Sequence, residues 1–511
     1  LRVGSAMETP ETAGMAHFLE HMLFKGAGSH GVGEAVMQVE LLGGDINAWT
    51  SFESTVLHAT VPAERELALL RVLGEMAFEP HLDPVEFERE RKVIIEEIRG
   101  SMDSPDQILA DRQRARAWGE HPYGRPILGT VDSVSRLTRA DMQEFHRRHY
   151  RAGNAIIVVS GPADSDAILE YLRETMSDPR CVESAPARAV SSRVLEPGSF
   201  ALDGGFEDTS IELAFRIPDL RDTDIPALDL LAAVLGGSRN SILSRELRHE
   251  RDCVLGAWAE LENDQDGGLF VVGAMPRRGR AAEAVEQMVR IIGALPEQAI
   301  SGAHLRRARA GVLSDRLRDN ETVDGRASRL AWYQACFGEL SAADRYETDI
   351  RRCRASDLRA VAGKWLRMEH AVIGMVAPRN ELDQEGLVAA VARGAVENEG
   401  PLPRTSPTLR TTTHILDNGL TVCCEADGDA ELVGISLMGL GGAQADGWDV
   451  HVWGMVWMIH SALPALMPIV ETFPRLTDWY ERMSALGTGD REDIEIDAAW
   501  QALKAGPARS L

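Results

Sequence analysis

The chain reads as an α+β protein of several domains, on three observations. Amphipathic helical stretches alternate with short apolar or alternating runs that suit strands. At ~100–200 residues per domain, 511 residues suggest about three or four domains. Two stretches rich in Pro, Ser, Ala and Thr, 183–198 and 396–413, read as linkers between them.

The elements follow in order. Residues 12–26 carry apolar positions at helical spacing and are expected to stop at Gly26, a residue suited to a C-cap. After the Gly43-Gly44 turn, the alternation over 43–61 reads as strands. A second helix starts at Asp83-Pro84, with Glu86 placed as in a capping box, and runs to Gly100. Thr138 to Tyr150 reads as a helix and NAIIVVSG (154–161) as a buried strand. Past the first linker come a strand at 211–217, a helix over 224–235 and another ending near Arg251. Helical patterns from 279 to 367 and a strand at 371–377 complete that stretch. Gly236-Gly237 reads as a helix-ending turn, since no phosphate-loop context surrounds it.

Composition narrows the function. With 54 Lys+Arg against 79 Asp+Glu, the net charge of −25 argues against nucleic acid or anionic lipid as partner. A hydrophobic fraction of 44% excludes wholesale disorder. The cysteines at 181, 253, 336, 353, 423 and 424 form neither a disulfide framework nor a thiolate zinc site. Cys423 and Cys424 are expected to pack within a strand. The longest apolar run, 454–470, is interrupted by His460, Pro464 and Pro468 and does not suit a membrane span. The compartment stays open between cytoplasm and periplasm.

Residues 416–446 read as strand, turn and strand ending in Met-Gly-Leu-Gly-Gly-Ala. The opening Leu1–Ala6 (LRVGSA) matches only the end of that pattern, with Leu1 against Met438. The expectation is that an N-terminal strand is missing ahead of Leu1.

The chemistry concentrates at His17-Phe18-Leu19-Glu20-His21. Two imidazoles four residues apart leave one helix face a turn apart, as two ligands of one zinc require. Glu20 lies beside them, within reach of the water that zinc would activate; H-x-x-E-H is the inverted zincin order. A catalytic zinc takes three protein ligands and keeps one position open. Glu90, Glu96 and Glu97 on the Asp83 helix are the candidates for the third. Glu90 and Glu97 share a face, with Glu96 rotated by about 100°, and spacing does not choose among them. His121, His146 and His149 read as structural.

AHFLEHMLFKG, GGDINAWTSFEST, FERERKVIIEEI and HPYGRPILGT, in that order, resemble the pitrilysin/insulinase family of zinc metallopeptidases. The resemblance implies one Zn2+ per chain held by His17, His21 and Glu97, with Glu20 as general base and Glu90 supporting the ligands. It further implies that Asn47, Ala48, Trp49 and Thr50 form an edge strand pairing with substrate backbone. Residues 1–182 would be the catalytic domain and 199–395 a metal-free domain of the same fold closing over it like a clamshell. In that second domain Arg248 matches a substrate-contacting Arg of the family, but Leu255 stands where the family has Tyr.

Residues 414–448 resemble the start of a third such domain, and 449–511 the C-terminal helices of glutathione transferases. The glutathione-binding half of that fold is absent, so the tail implies no transferase activity. The leading expectation is an endopeptidase acting on peptides or unfolded segments. A catalytically silent scaffold or partner subunit of the same fold is the alternative, and a glutathione-binding protein a third reading. The expected partners are peptide substrates, with a homodimer or a partner subunit as the assembly.

Overall fold

The structure is a computed structural model that describes residues 1–175, 197–379, 381, 383–396, 410–415 and 421–426. Residues 1–403 form one unit and residues 404–511 another.

The first part of the chain sets helices around a hairpin. Helix α1 (Met15–Leu23) ends short of the expected Gly26, because the Phe24 N–H already closes its last turn on His21 and Met22. Gly26, at φ +105°, instead turns the chain beyond the helix, where a Cβ would meet His81 at 2.8 Å. Helix α2 (Glu34–Leu41) leads into strands β1 (Asp45–Thr50) and β2 (Thr55–Thr60), paired antiparallel with Thr50 opposite Thr55. Helix α3 (Glu66–Phe78) follows. Helix α4 (Pro84–Ser101) starts where Asp83 accepts from the Val85 and Glu86 N–H groups. Glu86 does not complete a capping box; it pairs with Arg89 instead. Helices α5 (Pro105–Trp118), α6 (Val131–Arg136), α7 (Arg139–His149) and α8 (Ser165–Thr175) complete this part.

The buried strand expected at 154–161 is not found. Those residues pair with no described strand, and Ile157 and Val159 are about two-fifths exposed. The apolar run suits a strand, but a strand also needs a neighbour, which local sequence does not reveal.

The second part is a five-stranded sheet. Its strands are β3 (Gly198–Gly204), β4 (Ser210–Ile217), β5 (Val254–Asp264), β6 (Gly267–Pro276) and β7 (Val372–Pro378), in the order β3-β7-β4-β6-β5. Only β3 and β7 run parallel. Helix α9 (Ile225–Gly236) ends against β5: a Cβ on Gly236 would meet the Ala259 nitrogen at 1.9 Å. This close approach explains the glycine without any phosphate. Residues 244–250, expected as ordinary helix, wind as a π-helix. Helices α10 (Ala281–Ala294), α11 (Gly302–Asp319), α12 (Val323–Phe337), α13 (Ala342–Arg352) and α14 (Ala355–Trp365) precede β7, and α15 (Gln384–Val396) follows it.

One face of this sheet is packed by α9, α10, α14 and α15 around Phe215, Phe270 and Met288. The other receives α5 from the first part, with Leu109 and Trp118 against Phe200, Val271, Val372 and Val376. Gln113 of α5 donates to the Glu212 and Val372 carbonyls, at 3.1 and 3.0 Å. The two parts therefore share a core, and the molecule is an α+β protein of two-domain arrangement.

In the separate unit, β8 (Arg410–Ile415) pairs antiparallel with β9 (Thr421–Ala426). Cys423 and Cys424 stand within β9, in a strand as expected. Residues 410–413, read as linker, are strand; their β-branched threonines favour that conformation. The first linker up to residue 196, most of the third-domain segment and the whole tail at 449–511 lie outside the described residues. No described helix is long and apolar enough to cross a membrane.

Candidate metal centre

Helix α1 is buried at every residue except His21. Phe18 stacks on Phe87 of α4 at 4.7 Å between ring centres, and Arg91 of α4 covers Phe87 from outside. This packing turns the Glu90 and Glu97 face of α4 toward the two histidines of α1.

Glu97 Oε1 lies 3.7 Å from His17 Nε2, and Glu97 Oε2 lies 3.7 Å from His21 Nε2. One ligand atom from each of the three residues falls within 4.8 Å of the others; among the described residues no other trio of His, Cys, Asp or Glu converges so. Burial, with the neighbouring His21 charge, lowers the His17 pKa to about 4. A neutral His17 makes no ion pair with Glu97, so the short distance reflects shared space and not mutual charge attraction. Two imidazoles and a carboxylate are a donor set that catalytic zinc uses, and its bonds of about 2.0–2.1 Å would place ligand atoms roughly 3.3 Å apart. The trio fits that ion with small side-chain adjustments.

Glu90 does something different. It is buried and accepts from His21 Nδ1 at 2.9 Å and from Lys25 Nζ at 2.8 Å. A carboxylate only accepts, so Nδ1 must donate, which leaves Nε2, on the Glu97 side, as the nitrogen that would bind a metal ion. Desolvation works against a charged His21, but the Glu90 hydrogen bond and the surrounding carboxylates outweigh it and raise its pKa. Desolvation alone would raise the Glu90 pKa; the His21 and Lys25 hydrogen bonds turn it downward. Glu96 points elsewhere, exposed and paired with Arg99.

Glu20 stands apart from the trio. Its Oε2 accepts from the Thr50 hydroxyl at 2.6 Å, at the end of β1. Burial raises its pKa above the ordinary carboxylate value, against the opposing Thr50 hydrogen bond and His21 charge. Lys25 and Glu8, which caps α1, are neighbours of the centre that the sequence does not single out, and Thr50 is read there only as part of the edge strand and not as a partner of Glu20. For Thr50 a signal existed: strand alternation puts it on the same side as Ile46 and Ala48, opposite Asn47 and Trp49.

Asn47, Ala48 and Trp49 lie on β1, whose second edge pairs with no described strand. Asn47 folds back on the Ala48 N–H at 2.8 Å, and Trp49 is exposed. Trp49 and Ser51 line a cleft of about 430 Å³ that reaches Asp324 and Trp332 of α12. Arg248 is exposed on the π-helix and is not among the residues lining that cleft. His121 accepts from the Tyr123 N–H, His146 pairs with the Ala77 carbonyl, and His149 packs on Phe145; none joins the trio.

A two-domain α+β molecule with a His-His-Glu trio on its first part is the class defined by this geometry. Residues 1–131 match the family model for insulinase (peptidase family M16), and residues 136–312 match that of the peptidase M16 inactive domain; the chain belongs to this family. An uncharacterized zinc protease of Mycobacterium leprae is 29% identical over 391 residues, covering 75% of this chain and 87% of that protein. A protease from Helicobacter pylori of known structure superposes with a TM-score of 0.68 at 26% identity, covering 74% of this chain and 92% of its own. A peptidase M16 inactive domain structure from Pseudomonas fluorescens, at 19% identity and TM-score 0.66, shares the fold and covers 74% and 91%.

Proposed function

We propose that the chain is a zinc-dependent endopeptidase acting on extended peptides or unfolded segments. His17, His21 and Glu97 hold the ion, Glu90 orients His21, and Glu20 is the general base. The observation that carries this reading is the convergence of the trio within 4.8 Å, with Glu20 beside it but outside it. The relatives in Mycobacterium leprae and Bacillus subtilis are named zinc proteases, which supports the choice of metal.

When bound, zinc supplies Lewis acidity that polarises a carbonyl and makes water ionise near neutral pH. The remaining work belongs to the chain. Glu20 takes a proton from the attacking water and delivers it to the leaving amine. Thr50 holds the Glu20 carboxylate still through its hydroxyl. A substrate strand lies along the open edge of β1 at Asn47, Ala48 and Trp49, so main-chain bonds supply affinity with loose sequence preference. The second domain completes the chamber without contributing a metal ligand.

The test is metal content. Purified protein carries about one zinc per chain, as a three-ligand site requires, and His21→Ala loses it. Full zinc occupancy in His21→Ala contradicts the assignment.

A further inference from the structure

We propose that Glu8 is a positioning residue of the metal centre, locking the start of α1 to the end of β1 so that His17, Glu20 and His21 stand in register. This rests on the zinc reading above and adds to it a residue outside the H-x-x-E-H motif.

Helix α1 begins at Gly14, which has φ +92° and no side chain to cap the helix. The first-turn N–H groups need acceptors from elsewhere. Glu8 supplies them from six residues upstream. Its Oε2 accepts from the Gly14 N–H at 2.9 Å and its Oε1 from the Ala16 N–H at 2.7 Å. The residue is 6% exposed, so water cannot replace either bond. Arg125 fixes the Glu8 backbone in turn, donating to its carbonyl at 2.7 Å.

The other end of this bracket grips the strand. Ser5 and Ala6 donate their N–H groups to the Ser51 and Phe52 carbonyls, at 3.1 and 2.8 Å. Those carbonyls follow directly on Thr50, whose hydroxyl restrains Glu20. Gly4 permits the approach, since a Cβ there would meet the Ser51 oxygen at 2.3 Å. Residues 4–8 thus join the strand end that holds the base to the helix start that carries the ligands. Ala16 precedes His17 directly, so loss of its acceptor is felt first at a ligand.

Two measurements test this. The first is zinc affinity by competition with a chromophoric chelator, at a temperature where circular dichroism shows each protein folded. Glu8→Gln sets an NH2 group against one backbone N–H, and Glu8→Asp is too short to reach both. Each weakens zinc binding by roughly 10-fold or more, in the range found for residues that support metal ligands. Glu212→Gln, at a buried carboxyl of β4, is the control: it can lower the melting temperature but keeps wild-type zinc affinity. Wild-type affinity in a folded Glu8 variant overturns the proposal and leaves the zinc reading standing. A wild-type chain that binds no zinc overturns the zinc reading itself, and this proposal with it. The second measurement needs no variant. Coupling is reciprocal, so zinc must slow amide exchange at Gly14 and Ala16 in the wild-type chain. Slowing confined to 17–21, with those two amides unchanged, also overturns it.

Discussion

At the scale of single residues, the centre depends on which acidic side chain of α4 does which task. Glu97 touches both imidazoles, so Glu97→Gln should lose most zinc affinity. Glu90 touches only the far nitrogen of His21, and Glu90→Gln should cost roughly 10–100-fold. Glu96 is exposed beside Arg99, and Glu96→Gln should change nothing measurable. Zinc titration of the three variants checks the order; equal losses at Glu96 and Glu97 would contradict it. The sequence made His17, Glu20 and His21 legible because the helical period alone fixes their common face. It could not rank Glu90 against Glu97, which share a face two turns apart. Their difference comes from how α4 crosses α1, which is set by Phe18, Phe87 and Arg91 and not by local spacing. Glu8 and Lys25 were hidden for the same reason, since their partners are fixed by the fold.

At the scale of elements, α7 carries a pH dependence. Burial, with Arg148 and Arg151 nearby, lowers the His149 pKa to about 4. Below the ordinary histidine value of 6.5, the unfolded chain binds a proton that the folded chain refuses until about pH 4. Stability therefore falls as pH drops through that window. The loss from this one group between pH 7 and pH 5 is roughly 2 kcal/mol. His149→Phe keeps a ring against Phe145 and removes the proton site. Urea midpoints at the two pH values should show the wild type losing more than the variant, and equal losses would contradict the buried neutral imidazole. Helices with caps in their sequence, such as α4 after Asp83 and α7 after Thr138, were found close to their true ends. The run at 154–161 was misread because its apolar composition says nothing about which strand, if any, lies beside it.

At the scale of the whole molecule, α5 and the turn after it join the two parts. Trp118 is fully buried against Tyr123 and His121, with Arg216 of β4 over its ring at 3.7 Å. Trp118→Ala should cost about 3–5 kcal/mol, as large aromatic truncations in cores do. Denaturant unfolding should then show the two parts separating into two transitions; a loss under about 1 kcal/mol would mean that the shared core does not couple them. The second sheet was legible strand by strand at β4 and β7, but its contact with α5 was not, because no local pattern marks a helix that packs on another domain's sheet.

On the function proposed above, this two-domain molecule moves a proton through Glu20 to hydrolyse peptides. The most direct measurement is cleavage of a quenched fluorescent peptide by wild type and Glu20→Gln, with zinc content determined in both. The substitution keeps the side chain's size and removes its basicity, so zinc should stay at the wild-type level. Hydrolysis should fall by at least the roughly 10²–10⁴-fold expected for loss of a general base. Equal hydrolysis in the two zinc-loaded proteins would deny Glu20 its role, and a zinc-loaded wild type that cleaves nothing would point to a silent member of the family.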